Sequence, residues 1–275
     1  MDLPAPETRD ALLALLDWYV ESGVDLALDE APHDRYADSA RAETEAAAAP
    51  APAARQSAPT QNPKAVARPA TILAAPDEAA RAAEAAAAGA KDLEALAAIL
   101  ADFPHAPFRD MAQHFLFSAG TAGAPLMVLD AAPGAIEEST GEAFSGDSAR
   151  LLDNMLAAIG RSRESAYLAY AVPWRPPGDV NPTPQQTAIL APFLRRHVEL
   201  ARPKVLLLFG EAPARMLLQT DEPLGKLRGK RYDIRCGDHV AQGFVFNSLE
   251  SILKSWTLKP TAWRGLRAAA AALED

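Results

Sequence analysis

Polar residues that could do acid–base or hydrogen-bonding chemistry follow the apolar runs of this sequence. Asp130 ends the run PLMVLD, and Glu137 and Glu138 come soon after it. Asn247 ends a later run, GFVFN. Carboxylates transfer protons or orient water, and a side-chain amide can donate a hydrogen bond to an oxygen that gains negative charge. The sequence therefore predicts polar chemistry at the ends of apolar strands.

The elements that must position these residues alternate between strands and helices in the second half of the chain. Strands are predicted at 125–130, 166–172, 204–210 and 243–248, and helices at 148–160, 183–202, 212–218 and 261–273. Pro192 predicts a break or a new start in the second of these helices. The alternation predicts an α/β fold with a doubly wound, mainly parallel four-stranded sheet flanked by helices. In such sheets the ligand crevice lies at the carboxyl ends of the strands.

The first part of the chain has a different composition. Residues 1–36 predict a helical extension. The Ala/Pro-rich stretch 37–70 predicts a disordered linker, because it cannot bury enough apolar surface to offset its ordering entropy. The α/β domain then occupies 71–275, and it begins with an Ala-rich helical pattern over 77–103 that Gly89 interrupts.

Charge and cysteine content exclude several classes of protein. The 275 residues include 27 Lys+Arg and 36 Asp+Glu, and the net charge of −9 argues against a surface covered in phosphate contacts but is compatible with one basic cleft. A single cysteine excludes a disulfide framework, a Cys-based zinc site and a cysteine-held iron–sulfur cluster within the chain. No membrane span and no secretory signal are visible, which predicts a cytoplasmic protein without a membrane partner. The histidines show no metal-binding spacing, so we expect no metal site.

Five collinear blocks surround these strand ends, and together they resemble a known family. The blocks are APGAIEE (132–138), GEAF (141–144), WRPPGDVNPTP (174–184), RPKVLLLFG (202–210) and LRGK (227–230). In this order and spacing they resemble the signature blocks of the family-4 uracil-DNA glycosylases, over about residues 94–270. The resemblance implies a doubly wound α/β fold that flips a base out of DNA and hydrolyses its N-glycosidic bond.

The resemblance also implies a base pocket in the loops after the first two strands. Phe144 falls at the family's base-stacking position, with a buried core side chain as the alternative. The turn of Ala132, Pro133 and Gly134 lets main-chain N–H groups approach a ligand. Tyr170 stands where the family has the Asn that reads the uracil edge. Because a phenol is larger and lacks the paired amide geometry, we expect Tyr170 to fill the pocket rather than to read a base.

The catalytic positions that the resemblance implies are altered. The family's Glu before the APG turn is Ala131, and Asp130 lies one residue away, where a strand directs its side chain to the opposite face. Asn247 replaces the family's His, and its amide can donate a hydrogen bond but cannot become a cation. Glu137 and Glu138 match the family's acidic pair and could orient a water, although a helix N-terminus explains them equally well. Any remaining catalysis is expected to rest on Asn247, Glu137 and Asp130.

Four residues are candidates for contact with the DNA backbone. The LRGK block contributes Arg228 and Lys230, with a solvated turn as the alternative. Arg175 lies in a proline-rich segment that could equally be a rigid packed turn. Ser248 completes the Asn-Ser pair that replaces the family's His-Pro.

The iron–sulfur ligands of the family are replaced in this sequence. Phe103, Ala106, Trp174 and Leu190 occupy the four cysteine positions, and Cys236 matches none of them. Because the replacements are mostly apolar, packing can take over the role of the cluster as a structural staple. We therefore expect no cofactor.

These observations predict a DNA-repair-related protein of the uracil-DNA glycosylase fold in which standard uracil excision is lost or strongly reduced. DNA, single- or double-stranded, is the expected partner. The alternative is an active glycosylase with an altered site that hydrolyses the bond to uracil or to another deaminated base. A third hypothesis is a scaffold that binds a protein partner through the N-terminal helix.

Overall fold

The structure is a computed structural model, and it describes residues 76–274. The predicted extension 1–36 and the predicted linker 37–70 lie outside the described residues, and their boundaries stay predictions. The described part belongs to one compact unit that begins at Pro69. None of the helices in 76–274 is long and apolar enough to cross a membrane.

Six strands form one sheet in the order β1-β3-β2-β4-β6-β5. They are β1 (Ser118–Gly120), β2 (Leu126–Asp130), β3 (Ala166–Tyr170), β4 (Val205–Phe209), β5 (Arg231–Cys236) and β6 (His239–Phe246). β3, β2, β4 and β6 are parallel, and these are the four strands that the sequence predicts. The predicted α/β fold is confirmed.

The two antiparallel edge strands, β1 and β5, escaped the sequence analysis. β1 has only three residues. β5 alternates exposed charged residues with residues that face the core, such as Ile234 and Cys236, so it has no continuous apolar run. β6 begins earlier than predicted because residues 239–242 pair with β5.

Helices cover both faces of the sheet. They are α1 (Pro76–Gly89), α2 (Leu93–Asp102), α3 (Ala135–Thr140), α4 (Gly146–Ala157), α5 (Pro184–Ala201), α6 (Glu211–Leu218), α7 (Leu224–Leu227), α8 (Leu249–Lys254) and α9 (Lys259–Glu274). Residues of α1, α2, α5 and α6 pack with Met127 and Leu129 on one face. Residues of α4, α8 and α9 pack with Leu126 and Val128 on the other face. The alternation of β2 side chains thus supplies both cores.

The break predicted at Pro192 is wrong, because α5 continues through it from Pro184 to Ala201. Proline removes one backbone hydrogen bond from a helix interior. Leu190, Phe193 and Leu194 beside it are buried in the core, and this packing holds the helix together. Thr183 is the N-cap of α5, and its Oγ1 accepts a hydrogen bond from Gln186 N at 3.3 Å.

The strand order reverses beside β2. The chain passes from β2 to β3 on one side and then returns to β4 on the other side. Helices α3 and α4 link β2 to β3, and α5 links β3 to β4. A reversal of this kind opens a crevice at the carboxyl ends of the strands, so the loops after β2, β3, β4 and β6 meet at the functional edge.

Candidate functional site

A cavity of about 470 Å³ lies at the carboxyl edge of the sheet. Asp130, the turn of Ala132, Pro133 and Gly134, and Ser248 all line it. The cavity therefore collects residues that are far apart in the sequence, as the strand order requires. Phe144, Tyr170 and Asn247 do not line it.

Phe144 and Tyr170 stack directly on each other. Their ring centroids are 4.4 Å apart and their planes are 8° from parallel. Tyr170 Oη accepts a hydrogen bond from Phe144 N at 2.9 Å. Only 2% of Phe144 and 3% of Tyr170 is exposed, so Phe144 presents no free face to solvent. The expectation that Tyr170 fills the pocket agrees with this geometry.

The backbone of Phe144 is held in an unusual conformation. Its φ is 55°, in the left-handed region that is unfavourable for a residue with a large side chain. The hydrogen bond to Tyr170 satisfies the buried N–H in this conformation. Burial raises the pKa of Tyr170 well above its usual range, so its hydroxyl stays neutral.

Asp130 lies at the end of β2, in the wall of the cavity. It follows the face of the sheet that carries Leu126 and Val128, whereas Ala131 packs on the other core. Both residues still border the cavity, because the cavity wraps around the edge of the sheet. Asp130 therefore belongs to the site, even though its side chain and that of Ala131 lie on opposite faces of the sheet, as predicted.

The environment of Asp130 favours the protonated form of its carboxyl. Desolvation raises its pKa from 3.8 to about 7, and the nearby charges of Glu137 and Glu250 act in the same direction. A hydrogen bond from Ala131 N to Oδ1, 2.8 Å long, opposes the shift. A carboxyl with this pKa can give or take a proton near neutral pH.

The two glutamates after the APG turn have different roles. Glu137 lines the cavity, and its Oε2 accepts a hydrogen bond from Gly134 N at 3.1 Å at the start of α3. Glu138 lies outside the cavity lining, and its Oε1 accepts a hydrogen bond from Gln113 N. Of the pair, only Glu137 is placed to meet a ligand in the cavity.

Asn247 follows β6, and Arg228 holds its side chain. Arg228 Nη1 donates a hydrogen bond to Asn247 Oδ1 at 2.7 Å. Because this bond occupies the amide oxygen, the amide nitrogen is the end that can donate to another group. The LRGK block thus contacts the residue that stands at the family's His position.

Ser248 caps the helix that follows. Its Oγ accepts a hydrogen bond from Ser251 N at 3.3 Å and donates one to Ser251 Oγ at 2.8 Å. Ser248 also lines the cavity, but both of these bonds serve the start of α8.

Arg175 is engaged by its own loop. Its Nε and Nη2 donate to the two carboxylate oxygens of Asp179 at 2.8 and 2.9 Å. This pair lowers the pKa of Asp179. Trp174 and Pro176 beside it are buried, so the segment forms the rigid turn that was the alternative to a phosphate contact.

The four residues expected at the family's cluster-ligand positions have apolar side chains in one continuous core. Phe103, Trp174 and Leu190 are buried there, and Ala106 packs against the same core. Phe103 meets Phe193 edge to face at 5.2 Å, and Trp174 contacts the ring of Phe115 at 5.0 Å. An iron–sulfur cluster needs thiolate ligands, so this set of side chains does not fit one.

The remaining metal-type side chains are also part of the structure. Cys236 is buried on β5, and desolvation raises its pKa to about 11. His197 is buried, stacks on Phe117 at 4.2 Å and shares a 2.8 Å hydrogen bond with Tyr167 Oη. Burial lowers the pKa of His197 to about 3, so it stays neutral. Among residues 76–274, no group of three or more His, Cys, Asp or Glu could hold a metal ion.

The sequence analysis missed two residues near these sites. Glu250 lines the cavity from the first turn of α8, and Arg264 lines a separate groove beside α9. Glu250 follows β6 by only a few residues, so its place at the carboxyl edge was readable from the predicted strand. Nothing in the sequence indicated where Arg264 would point.

Comparison with known proteins supports the family resemblance. The model of the uracil DNA glycosylase superfamily matches residues 117–267. A type-4 uracil-DNA glycosylase of Archaeoglobus fulgidus is 31% identical over 42% of this chain and 60% of its own length. One from Saccharolobus solfataricus is 31% identical over 41% of this chain and 55% of its length. A third, from Pyrobaculum aerophilum, is 25% identical over 52% of this chain and 76% of its length. The matched part thus spans little more than half the length of the first two relatives.

Proposed function

The chain belongs to the uracil DNA glycosylase superfamily, and from this premise we propose that it binds DNA while its excision of uracil is lost or strongly reduced. The observation that carries the proposal is the stacking of Tyr170 on Phe144. The relatives' names describe uracil-DNA glycosylases, and this chain departs from them at the base pocket.

A flipped base needs a stacking surface and hydrogen-bond partners for its edge. Tyr170 covers the ring of Phe144 and occupies the Phe144 N–H. A base could enter only by displacing Tyr170. Moving the stacked, buried phenol of Tyr170 out of its site costs about 2 to 4 kcal/mol. This cost lowers the affinity for a base roughly 30- to 1000-fold.

The groups that would act on the bond are weakened as well. Ala131 has no polar side-chain atom at the family's Glu position. Asn247 can donate a hydrogen bond to the departing base, but it remains neutral. Loss of one such stabilising group typically lowers the rate about 10²- to 10³-fold. The effects of several losses do not simply multiply when the groups act as one unit.

DNA is the proposed partner, because the family acts on DNA and because Arg228 and Lys230 form no ion pair with any residue of 76–274. A cytoplasmic location is part of the same proposal. A protein partner for the N-terminal segment remains a separate proposal on which the described residues do not bear.

The second candidate function is an active glycosylase with an altered site. One observation favours it: Asp130 borders an open cavity together with Glu137, and its pKa is raised to about 7. Such a carboxyl could protonate a departing base or activate water without the family's Glu.

The deciding experiment measures excision and binding on the same single-stranded oligonucleotide, with uracil, hypoxanthine or xanthine at one position. The wild type is compared with Asn247→Ala and Asp130→Asn, each purified in parallel. We expect no excision of any base and retained binding at low salt. Excision that disappears in either variant would establish the active enzyme and reject the proposal. Absence of binding at low salt would favour a role without nucleic acid.

A second comparison tests the part played by Tyr170. Tyr170→Asn restores the family's amide and uncovers Phe144, whereas Tyr170→Phe keeps the ring in place. Only Tyr170→Asn should bind the uracil strand several-fold more tightly than a matched thymine strand. Equal binding of both strands by Tyr170→Asn would show that Tyr170 is not what excludes uracil.

Packing in place of the iron–sulfur cluster is also part of the proposal. The side chains at the four ligand positions fill the core without a thiolate. Protein purified without oxygen should therefore contain no stoichiometric iron. About four irons per chain, the content of one [4Fe–4S] cluster, would overturn this part.

A further inference from the structure

A groove of about 610 Å³ lies between the β5–β6 hairpin and α9. We call it the basic groove, and its lining includes Arg228, Lys230, Arg231, Arg264, Phe244 and Gly265. Four of these six side chains are cations, and the floor between them is apolar. The groove does not overlap the cavity that contains Asp130.

The cations of the basic groove are not neutralised. None of the four forms an ion pair with another described residue, whereas eight other Lys or Arg side chains do. Arg228 donates to the neutral amide of Asn247, and Arg264 donates to the hydroxyl of Thr261. Arg228 Nε is buried and has no hydrogen-bond partner among residues 76–274. The groove therefore carries a concentrated positive charge that is available to an anion.

The sequence around the groove is also rich in positively charged residues. Residues 226–267 contain nine Lys or Arg and three Asp or Glu, in a chain whose net charge is −9. Positive charge confined to one region of an acidic protein attracts polyanions to that region. A polyanion is thus the ligand class that the groove favours.

The cations lie at the end of the groove nearest to Asn247. Arg228 and Lys230 come just before β5, whose first residue pairs with Phe244 near the carboxyl end of β6. On α9, a Cβ at Gly265 would lie 2.9 Å from the ring of Phe246, the residue before Asn247. A strand that reaches Asn247 can therefore continue into the basic groove.

We propose that the basic groove binds the sugar-phosphate backbone of a single DNA strand that extends from the edge containing Asn247. The phosphates contact the cations and the sugars lie on the apolar floor. The bases point outwards, because Phe244 is buried and offers no stacking surface. A groove of this volume accommodates a few nucleotides of one strand rather than a duplex. The inference rests on the proposed DNA binding, and it adds where and how the strand is held.

The test uses the full chain and a fluorescein-labelled oligo-dT strand. The groove variant is Lys230→Gln with Arg264→Gln, since both side chains are exposed and neither holds Asn247. The matched control is Arg235→Gln with Arg267→Gln, which removes one exposed cation from β5 and one from α9 outside the groove lining. Fluorescence anisotropy gives the affinity over a range of salt, and unfolding midpoints check that both variants fold as the wild type does.

The groove variant should bind about tenfold more weakly at low salt. The slope of log affinity against log salt should fall by about 1.4, because each phosphate contact to a single strand contributes about 0.7. The control variant should stay within about twofold of the wild type, with its slope nearly unchanged.

Three outcomes would overturn the inference. Wild-type affinity in the groove variant, or equal losses in both variants, would show that the groove does not hold the strand, while DNA binding itself would stand. Displacement of the oligonucleotide by polyglutamate at the same charge concentration would assign the groove to an acidic protein. If the wild type binds no DNA at low salt, the proposed function fails first.

Discussion

The two halves of the carboxyl edge differ in exposure and in charge. On the β2–β3 half, Phe144 and Tyr170 are stacked and buried, and carboxylates border the cavity beside them. On the β6 half, Arg228, Lys230 and Arg264 surround an open groove. In the proposed function, base stacking is assigned to the first half and backbone contact to the second. Because different side chains carry them, one can be lost while the other is kept.

We call the β2–β3 half the closed half and the β6 half the open half. The two also differ in how they are stabilised. Aromatic and aliphatic residues replace functional groups in the closed half, and their contribution comes from buried area. The open half is expected to contribute less to stability, since Lys230 and Arg264 are exposed and neither forms an ion pair with another described residue.

Trp174→Ala should lower the free energy of unfolding by about 3–5 kcal/mol, because it empties a buried site in the core that stands at the family's cluster position. Arg264→Ala, in the open half, should change it by less than about 0.5 kcal/mol. Urea unfolding followed by fluorescence and circular dichroism measures both. Similar values for the two variants would remove the energetic difference between the halves.

Tyr170→Phe should destabilise the protein by about 1–3 kcal/mol, because the buried N–H of Phe144 loses its acceptor. Tyr232→Phe removes the hydroxyl that donates to Leu227 O at 3.0 Å, in a half-buried position, and is the matched control. Its effect should be smaller, about 1 kcal/mol or less. An equal loss of stability in both variants would mean that the hydrogen bond to Phe144 N contributes no more than the half-buried bond to Leu227 O.

Asp130→Asn should stabilise the protein at pH 8 but not at pH 4. The folded-state pKa of Asp130 is about 7 against 3.8 unfolded, so the folded state holds its proton longer and wild-type stability falls as pH rises from about 4 to 7. Asn imitates the protonated carboxyl and removes this loss, which we expect to be about 1–2 kcal/mol after allowance for partial solvation.

Thermal unfolding of the two proteins across this pH range measures the difference. Asp233→Asn, which removes an exposed carboxylate from β5, controls for the change in net charge. A stability difference between wild type and Asp130→Asn that does not vary with pH would contradict the raised pKa.

Arg175→Gln should alter oligonucleotide affinity less than twofold, because its guanidinium is already bound to Asp179. Lys230→Gln, in the basic groove, should weaken binding about three- to fivefold at low salt. Anisotropy titrations of both variants give the comparison. A larger loss for Arg175→Gln would move the DNA contact to the closed half.

The local signals that were strong in the sequence correspond to strong packing in the structure. The runs 125–130 and 204–210 are almost wholly apolar, and they form central parallel strands that are buried on both faces. β5 was missed because its charged and apolar residues alternate, and an edge strand needs only one buried face. The break predicted at Pro192 was wrong because core contacts of α5 outweigh the loss of one hydrogen bond.

At the site, too, some features were indicated by the sequence and others depend on tertiary contacts. The family resemblance implied that Phe144 and Tyr170 lie close to each other. Their stacking at 4.4 Å depends on the angle at which the 141–144 loop meets β3, which no residue type encodes by itself. Arg175 shows the reverse case, since a rigid proline-rich turn was an alternative that the sequence left open, whereas its pairing with Asp179 is visible only in the tertiary structure.

The sequence by itself indicated the family, the four parallel strands and the presence of only one cysteine, because periodicity, motif spacing and residue chemistry are local properties. Only the tertiary structure decided which side chains meet: Tyr170 on Phe144, Arg228 on Asn247 and Asp130 beside the cavity. Burial and charge proximity arise from contacts between distant segments. Here they stack Tyr170 on Phe144 and leave a basic groove open.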